Sequence, residues 1–252
     1  MEWTDTGLVL GSRRLGEADA LVELMTRDHG RHLGVVKGGR SKRRAAVLQI
    51  GNRVAAVWCA RLDEHVGTWT IEPLDARAAE LMASAVALNG VQTLAAHLRL
   101  LPERDPHPEL FEAMAAIVDH LGEPRLAGEL IVRFELAVIE ALGFGLDLAT
   151  CALTGATADL AWVSPRSGRA ATRVAGAPHA AKLLALPGFL AGVETSEPAT
   201  WGRAGIDDLL AGFRLTGHFL ARHVWEPRGI DPPATREGLV SALRRALVSA
   251  VD

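Results

Sequence analysis

The sequence predicts an α+β protein of more than one domain, with an N-terminal β-barrel of the OB-fold type followed by an all-α bundle. Up to about residue 75, short runs of β-branched and aliphatic residues alternate with glycine and polar turns, which is typical of strands. From residue 76 the apolar residues recur at nearly every fourth position, which is typical of amphipathic helices. We therefore place an OB-fold domain at 1–75 and a helical domain at 76–252, with an inserted irregular lobe at 144–176 that resembles a degenerate zinc ribbon.

Five strands are predicted in the first domain. They are Gly7–Leu10, Ala20–Thr26, Arg31–Lys37, Asn52–Leu62 and Gly67–Glu72. Glycine and aspartate separate them, and both residues favour tight turns. Five short strands closed by a following helix suit a small Greek-key barrel. A five-stranded sheet without a ligand is the alternative.

Helical periodicity marks most of the second domain. The predicted helices are Ala76–Leu101, Glu109–Leu121, Arg125–Leu142, Ala177–Leu186, Ile206–Trp225 and Thr235–Val251. The third is strongly apolar and is expected at the centre of the bundle. Residues 144–176 lose the helical period, and residues 190–204 are predicted to be a loop.

Positive charge is concentrated in one part of the first domain. Five cations and no acid lie within residues 37–44, and nine Lys or Arg residues stand against Asp28 alone between Arg27 and Arg61. The local charge is thus +8 in a chain whose net charge is −3. Because like charges on a short loop repel one another, a polyanion laid across them would be stabilising. The pattern indicates a nucleic-acid-binding loop, and a solvated loop beside a strand is the alternative.

Aromatic side chains in the strand region bear on whether bases could stack on the protein. Trp58 shares its predicted strand face with Val54, Ala56 and Ala60, so we predict that it belongs to the core. For Trp69, burial and exposure are equally open.

Motifs for catalysis are missing from the sequence, so we expect a protein that is not an enzyme. The glycines of the basic region are not followed by Lys-Ser/Thr, and neither G-x-S-x-G nor H-E-x-x-H occurs. We place Asp207 and Asp208 at the start of a helix, where carboxylates complement the helix dipole. No run of apolar residues is long enough for a membrane helix, and no signal peptide precedes the strands, so we expect a cytoplasmic protein.

Cys151 opens the sequence CALTG, which has the form of one arm of a zinc ribbon with Thr154 in place of the second thiolate. Structural zinc requires four Cys or His ligands, and the lobe offers only Cys151 and the distant His179. Neither zinc nor any other cofactor is therefore expected.

The order of these features resembles the RecO family of bacterial recombination mediators. The resemblance spans nearly the full length and depends most on GLVLGSRRLGEADALVELMTRDHGRHLGVVKGGR (7–40) and RFELAVIEALGFGLDLATCALTG (133–155). It implies binding of single- and double-stranded DNA, annealing of complementary strands, and contacts with the acidic, hydrophobic-tipped tail of the single-stranded-DNA-binding protein SSB. It also implies cooperation with RecR in loading the RecA recombinase, and a place at the nucleoid. Many family members carry a four-cysteine zinc site, of which only Cys151 is kept here.

The resemblance and the charge pattern together give a set of candidate binding residues. The predicted DNA-binding residues are Arg31, Lys37, Arg40, Lys42, Arg43, Arg44 and Arg53. By resemblance, Arg133 and Arg125 are candidates for binding the SSB tail. The alternative for Arg133 is an ion pair at the edge of the bundle with Glu129 or Glu135.

Two other classes of function remain open at this stage. One is an RNA-binding OB module with a helical assembly domain. The other is a phosphoryl-transfer enzyme, such as a nuclease, that uses acids such as Asp147, Asp159 and Asp207.

Overall fold

The protein is described here from a computed structural model, which covers residues 1–62, 64–191 and 201–248. The chain forms two compact units, Met1–Gly122 and Glu123–Asp252. The first unit thus extends beyond residue 75 and includes residues that were assigned to the helical domain. The predicted domain boundary between residues 75 and 76 stays a prediction.

The first unit is built around a closed five-stranded barrel, which confirms the predicted fold class. Its strands are β1 (Glu2–Leu15), β2 (Asp19–Thr26), β3 (Gly30–Val36), β4 (Arg53–Cys59) and β5 (Gly67–Asp75). They lie in the order β1-β2-β3-β5-β4 before the barrel closes through the β4–β1 pair. All the pairs are antiparallel except β3–β5, which is parallel and joins only two residues of each strand.

Alternating burial explains why these segments form a barrel. Every second residue of β3 is buried, and the same alternation runs through the middle of β4. The inward side chains form a core centred on Val22, Leu24 and Trp58, each fully buried. Burial of this apolar surface is the main free energy that favours the barrel.

Two glycines face each other where β3 meets β5, and each is covered by a tryptophan. A Cβ on Gly34 would lie 2.5 Å from the Trp69 ring, and a Cβ on Gly67 would lie 2.3 Å from the Trp58 ring. Only glycine lets the indoles pack directly on the backbone at these two positions. The indole N–H of Trp58 donates to the Leu33 carbonyl at 3.2 Å, so this ring is buried with its polar atom paired.

The described part of the first unit also contains four helices: α1 (Lys42–Val47), α2 (Ala78–Met82), α3 (Ala85–Leu98) and α4 (Pro108–His120). The single helix predicted over 76–101 is wrong in one respect, because α2 ends at Met82 and α3 begins anew. Ser84 accepts a hydrogen bond from the Ala87 backbone N–H at 3.4 Å, which caps the new helix.

The second unit consists of helices around α5 (Pro124–Ala141), which carries the apolar residues that predicted a central position. The other helices are α6 (Arg173–Gly176), α7 (Ile206–Leu220), α8 (Glu226–Arg228) and α9 (Ala234–Val248), with a 3₁₀ turn at Ala177–Lys182 and a π-helical turn at Ala221–Trp225. Helices α7 and α9 both pack on α5. Most of the predicted loop 190–204 and the predicted helix end at Val251 lie outside the described residues.

The lobe that was predicted to be irregular contains a small sheet. Its strands are β6 (Asp147–Cys151), β7 (Leu160–Val163), β8 (Arg169–Thr172) and β9 (Leu184–Ala185), in the order β6-β8-β7-β9. The sheet extends past the predicted end of the lobe at residue 176. Across the described ranges 1–62, 64–191 and 201–248, no helix is both long and apolar enough to cross a membrane.

Candidate nucleic-acid interface

The cations that follow β3 lie on a turn and a short helix. We call residues 37–44 the basic segment: Lys37 and Arg40 lie on the turn, and Lys42, Arg43 and Arg44 form the first half of α1. The prediction of a loop over all eight residues is therefore wrong for the last three. Helix α1 has no acid in its first turn that would offset these cations. The backbone dipole adds further positive potential at this end of the helix.

The turn of the basic segment is packed against the start of β2. A Cβ on Gly39 would lie 2.7 Å from the Ala20 Cβ, so a larger residue at Gly39 would push the turn away. The Arg40 backbone N–H donates to the Ala18 carbonyl at 3.0 Å. These contacts hold the basic segment beside the β1–β2 turn instead of leaving it as a loose loop.

All five cations of the basic segment are exposed, and their immediate partners are mostly uncharged. The Arg40 guanidinium donates to the carbonyl oxygens of Gly16 and Glu17, and that of Arg44 donates to the Lys37 carbonyl. Carbonyl acceptors orient a guanidinium without cancelling its charge. For the side chains of Lys42 and Arg43, no hydrogen bond or ion pair is found with any residue that the structure describes.

Lys37 is the one member of the basic segment that meets a carboxylate among the described residues. Its Nζ lies 2.9 Å from Oδ2 of Asp19, and the Gly38 backbone N–H donates to Oδ1 of the same aspartate at 2.9 Å. These two hydrogen bonds lower the pKa of Asp19, the Lys37 bond most strongly. The Lys37 side chain is 74% exposed, so water screens the pair and the ammonium stays accessible.

Arg31 and Arg53, both predicted to bind DNA, lie apart from the basic segment. The Arg31 side chain is 12% exposed, and its Nη1 lies 2.7 Å from Oε1 of Glu23 and 3.2 Å from Oε1 of Glu103. Its charge is thus compensated within the fold. Arg53 is exposed at the start of β4, where its guanidinium lies 4.0 Å from Asp75.

Two further arginines, Arg13 and Arg14, lie at the end of β1 and were missed by the sequence reasoning. Both are exposed, and no ion pair is found for either within the part of the chain that the structure describes. Arg14 is opposite Ala20, which is in turn opposite Val36 immediately before the basic segment. The pairing register of the strands would have placed these arginines near the basic segment, but a search for runs of charge in the sequence does not use it.

No tryptophan of the barrel offers an exposed ring face on the outer surface for base stacking. Trp58 is fully buried and Trp69 is 4% exposed, which confirms the core position predicted for Trp58 and resolves the open question for Trp69. Trp3 is half-buried and stacks on His29, with ring centroids 3.9 Å apart. The exposed surface of the interface therefore offers cations for phosphates.

A separate pocket of about 310 Å³ lies in the second unit around Arg133. The Arg133 guanidinium donates to the Phe189 carbonyl and lies 5.4 Å from the centroid of the Trp201 ring. Burial lowers the pKa of Arg133, and the nearby charge of Glu129 acts in the opposite direction. An exposed arginine, Arg203, also lines this pocket and was missed by the sequence reasoning.

The other residues named for the Arg133 region have clear structural partners. Arg125 donates to the Ala204 carbonyl at 3.1 Å and is not one of the lining residues. Glu129 accepts the Ala204 backbone N–H at 2.7 Å. Glu135, the other partner considered for Arg133, accepts a hydrogen bond from Arg236 at 2.7 Å.

The residues around Cys151 do not fit a zinc ion. Cys151 is buried and His179 is exposed, and no group of three or more His, Cys, Asp or Glu among the described residues is placed to hold a metal. Hydrogen bonds from the Thr154 hydroxyl and then from the Thr172 N–H lower the pKa of the Cys151 thiol to about 6. Thr154 thus stabilises the thiolate from the position where a second ligand would stand.

The acids considered for phosphoryl transfer each have a local role. Asp147 lies 3.3 Å from Arg169, and Asp159 lies 3.2 Å from Arg173. Asp207 is in the first turn of α7, as predicted, where it complements the helix dipole.

Comparison with known proteins gives matches over both units. The family model described as "Recombination protein O N terminal" matches residues 1–77, and "Recombination protein O C terminal" matches residues 93–229. A protein of Chelativorans sp. (strain BNC1), named "DNA repair protein RecO", is 60% identical over 98% of this chain and 97% of its own length. Proteins with the same name from Rhizobium leguminosarum bv. trifolii and Brucella abortus (strain 2308) are 58% and 55% identical over 98% of this chain, covering 94% and 98% of their own lengths. These matches, on a chain that begins with a closed five-stranded barrel, show that it belongs to the RecO family.

Proposed function

We propose that this chain is a non-enzymatic mediator of recombinational DNA repair that binds DNA through the basic segment. The observation that carries the proposal is that all five cations within residues 37–44 are exposed and that, among the described residues, only Lys37 of the five meets a carboxylate. Its relatives bear the name DNA repair protein RecO. DNA phosphates would pair with the cations of α1, for which no carboxylate partner is found among the described residues.

The proposed contacts are with phosphates and therefore carry no sequence code. Arginine can fork across two phosphate oxygens, whereas lysine acts as a mobile point charge. If the five cations of the basic segment each contact a phosphate, the slope of log K against log salt on single-stranded DNA should be about −3.5. Arg31 is expected to contribute to stability instead, because Glu23 already neutralises it.

Strand annealing follows from the same electrostatics. Two complementary strands repel each other through their phosphates, and a cationic surface that neutralises part of both charges lowers this barrier without any bond chemistry. Arg13 and Arg14, beside the basic segment, would widen the surface so that a second strand can lie near the first.

For partners, we propose that the pocket around Arg133 binds the SSB tail. Phe189 and Trp201 offer apolar surface for the hydrophobic tip, and Arg133 and Arg203 offer cations for its acidic residues. Glu129 and Asp208 also line the pocket, and the carboxylate of Glu129 is held by the backbone N–H groups of residues 202 and 204. Recruitment to SSB-coated DNA, followed by RecA loading together with RecR, would give the mediator role that the family resemblance implies.

The proposal is tested by titrating a fluorescent single-stranded oligonucleotide at several salt concentrations. The double variant Lys42→Ala/Arg43→Ala should bind more weakly and lose about 1.4 from the magnitude of the salt slope, since each lost contact removes about 0.7. The matched control is Arg214→Ala/Arg244→Ala, which removes two exposed cations of the second unit.

If DNA binding were weakened equally in the two double variants, only the net charge of the protein would matter, and the basic segment would not be the DNA-binding site. The same titration with an RNA oligonucleotide of identical sequence tests the alternative of an RNA-binding module. Tighter binding to RNA than to DNA would favour that alternative.

A further inference from the structure

A cavity of about 310 Å³ opens in the first unit between α1 and β5. We call it the α1–β5 cavity. It exists because β3 and β5 pair only at Gly34–Gly67 and Val35–Thr68. No further β3–β5 pair is found beyond these positions among the described residues, and the cavity there is lined from α1 by Arg44 and Val47.

The floor of the α1–β5 cavity is apolar and its rim is cationic. Val36, Leu48 and Trp69 are buried and form apolar walls. Lys37 and Arg44, both members of the basic segment, line the same cavity and are exposed. A ligand that matches both parts has a flat, weakly polar body and an anionic group beside it.

Both rim cations keep donors available for such a ligand. Lys37 has three N–H groups and gives one to Asp19, while Arg44 has five and is seen to donate to the Lys37 carbonyl. The hydroxyl of Thr68 donates to the Cys59 carbonyl at 3.3 Å, which leaves its lone pairs free to accept from a ligand.

We propose that the α1–β5 cavity takes one unpaired base of a single DNA strand whose phosphates lie on the basic segment. This inference rests on the proposed function and adds a subsite to it. We infer a base as the occupant because the proposed phosphate-binding surface adjoins the cavity. Lys37 and Arg44 belong to that surface and also line the rim of the cavity. The volume is at the lower end of the range of small-ligand pockets, so it suits one base and not a base pair.

The subsite would distinguish single strands from duplexes. A base in a duplex is stacked and paired, and it can enter a pocket only after leaving the helix at a cost in free energy. A base in a flexible single strand gives up much less stacking and pairing free energy when it enters a pocket. The protein would therefore bind single strands more tightly, relative to a duplex of equal length, than its phosphate contacts alone predict, since those contacts favour the more densely charged duplex.

The test compares three 12-nucleotide probes: a single strand with all bases, the same strand with abasic sites throughout, and the duplex. The wild-type protein should bind the first about tenfold more tightly than the abasic strand. In Val47→Trp, whose indole would fill the cavity from α1, this ratio should fall to about one. Thr70→Trp, at an exposed lining position of β5, gives a second variant in case the first does not fold.

Each outcome bears on a different proposal. If the wild-type protein binds normal and abasic strands equally, the base subsite is disproved while phosphate binding by the basic segment stands. If the ratio persists in a folded Trp variant, the base lies elsewhere and the inference is also overturned. If Lys42→Ala/Arg43→Ala binds all three probes as well as the wild type does, the proposed function itself fails.

Discussion

Lys37 donates a hydrogen bond from Nζ to Oδ2 of Asp19 at 2.9 Å, and this is the one carboxylate contact of the basic segment among the described residues. The same aspartate accepts the Gly38 backbone N–H through its other oxygen. Asp19 therefore holds the turn in place and also offsets part of the positive charge offered to DNA. The two effects can be separated, because an asparagine at this position can still accept the Gly38 bond through its amide oxygen.

We predict that Asp19→Asn strengthens DNA binding. Removing the carboxylate charge that competes with DNA for the Lys37 ammonium should raise the affinity several-fold at low salt, and the gain should shrink as salt screens the charges. Fluorescence anisotropy with a single-stranded oligonucleotide measures this gain. Asp28→Asn is the control, since Asp28 pairs with Arg27 outside the basic segment. An affinity that stays equal or falls in Asp19→Asn would contradict the role given to Lys37.

Arg31→Gln is predicted to change the stability of the protein and Arg43→Gln its binding of DNA. Arg31 is 12% exposed between two glutamates, so its loss should lower the free energy of unfolding by about 2 kcal/mol and leave the salt slope of DNA binding unchanged. Arg43 is exposed, so its loss should leave the melting temperature unchanged and reduce the magnitude of the slope by about 0.7.

Thermal unfolding and salt titration of these two variants provide the measurements. Each variant serves as the control for the other, because both replace one arginine by glutamine in the same unit. A reduced slope in a stably folded Arg31→Gln variant would return Arg31 to the DNA-binding surface.

The parts of the fold that could be predicted from the sequence are those with a local signal. Strand alternation around Ala20–Thr26 and the apolar face of α5 are visible within a few residues. The strands of the lobe could not be predicted, because β7 and β8 have four residues each and show no clear alternation. Helix α1 was missed because its run of charge suggested a loop, although lysine, arginine and alanine all favour helices.

The candidate site shows the same division. The cluster of cations was predictable, because its members are neighbours in sequence. Their partners were not, because Glu103, one of the two glutamates that contact Arg31, is 72 residues away in the sequence. Arg203 likewise joins Arg133 in one pocket only through the packing of the second unit. Neighbouring positions in the sequence reveal a cluster of cations, but tertiary contacts determine which of these cations remain available to bind a ligand.

Binding of an SSB-tail peptide should depend on Arg133 and Arg203. We predict that Arg203→Ala weakens the peptide by about tenfold, the loss expected for one hydrogen bond between charged groups. Arg133→Ala should weaken it at least as much, since its guanidinium also lies over the Trp201 ring. Isothermal titration with a peptide that has acidic residues and a hydrophobic end measures both effects. Arg214→Ala, an exposed position on α7, is the control, and equal loss in it would argue against the pocket.

The Cys151 thiol should titrate with a pKa of about 6. The Thr154 hydroxyl contributes most to this lowering, so Thr154→Val should raise the pKa toward the ordinary value of a cysteine. Because the thiol in the folded protein loses its proton at lower pH than in the unfolded chain, stability should rise with pH between the two pKa values and fall as the pH drops toward 6.

Thiolate absorbance near 240 nm in a Cys59→Ser background isolates this titration, because Cys59 is the other cysteine of the chain. A Cys151 pKa that is unchanged by Thr154→Val would show that the backbone N–H groups alone stabilise the thiolate.

The carboxylate of Glu135 is fully buried, and Arg236 binds both of its oxygens, at 2.7 and 3.0 Å. We predict that Arg236→Met destabilises the protein by about 3–5 kcal/mol, because it leaves a buried carboxylate without its main cation. Adding Glu135→Leu should restore most of this loss, since the two apolar side chains need no partner. Urea unfolding of the two single variants and the double variant forms a thermodynamic cycle that measures the coupling. If the double variant is no more stable than Arg236→Met alone, the loss comes from packing of the Arg236 side chain against Phe213 and Trp225 and not from the ion pair.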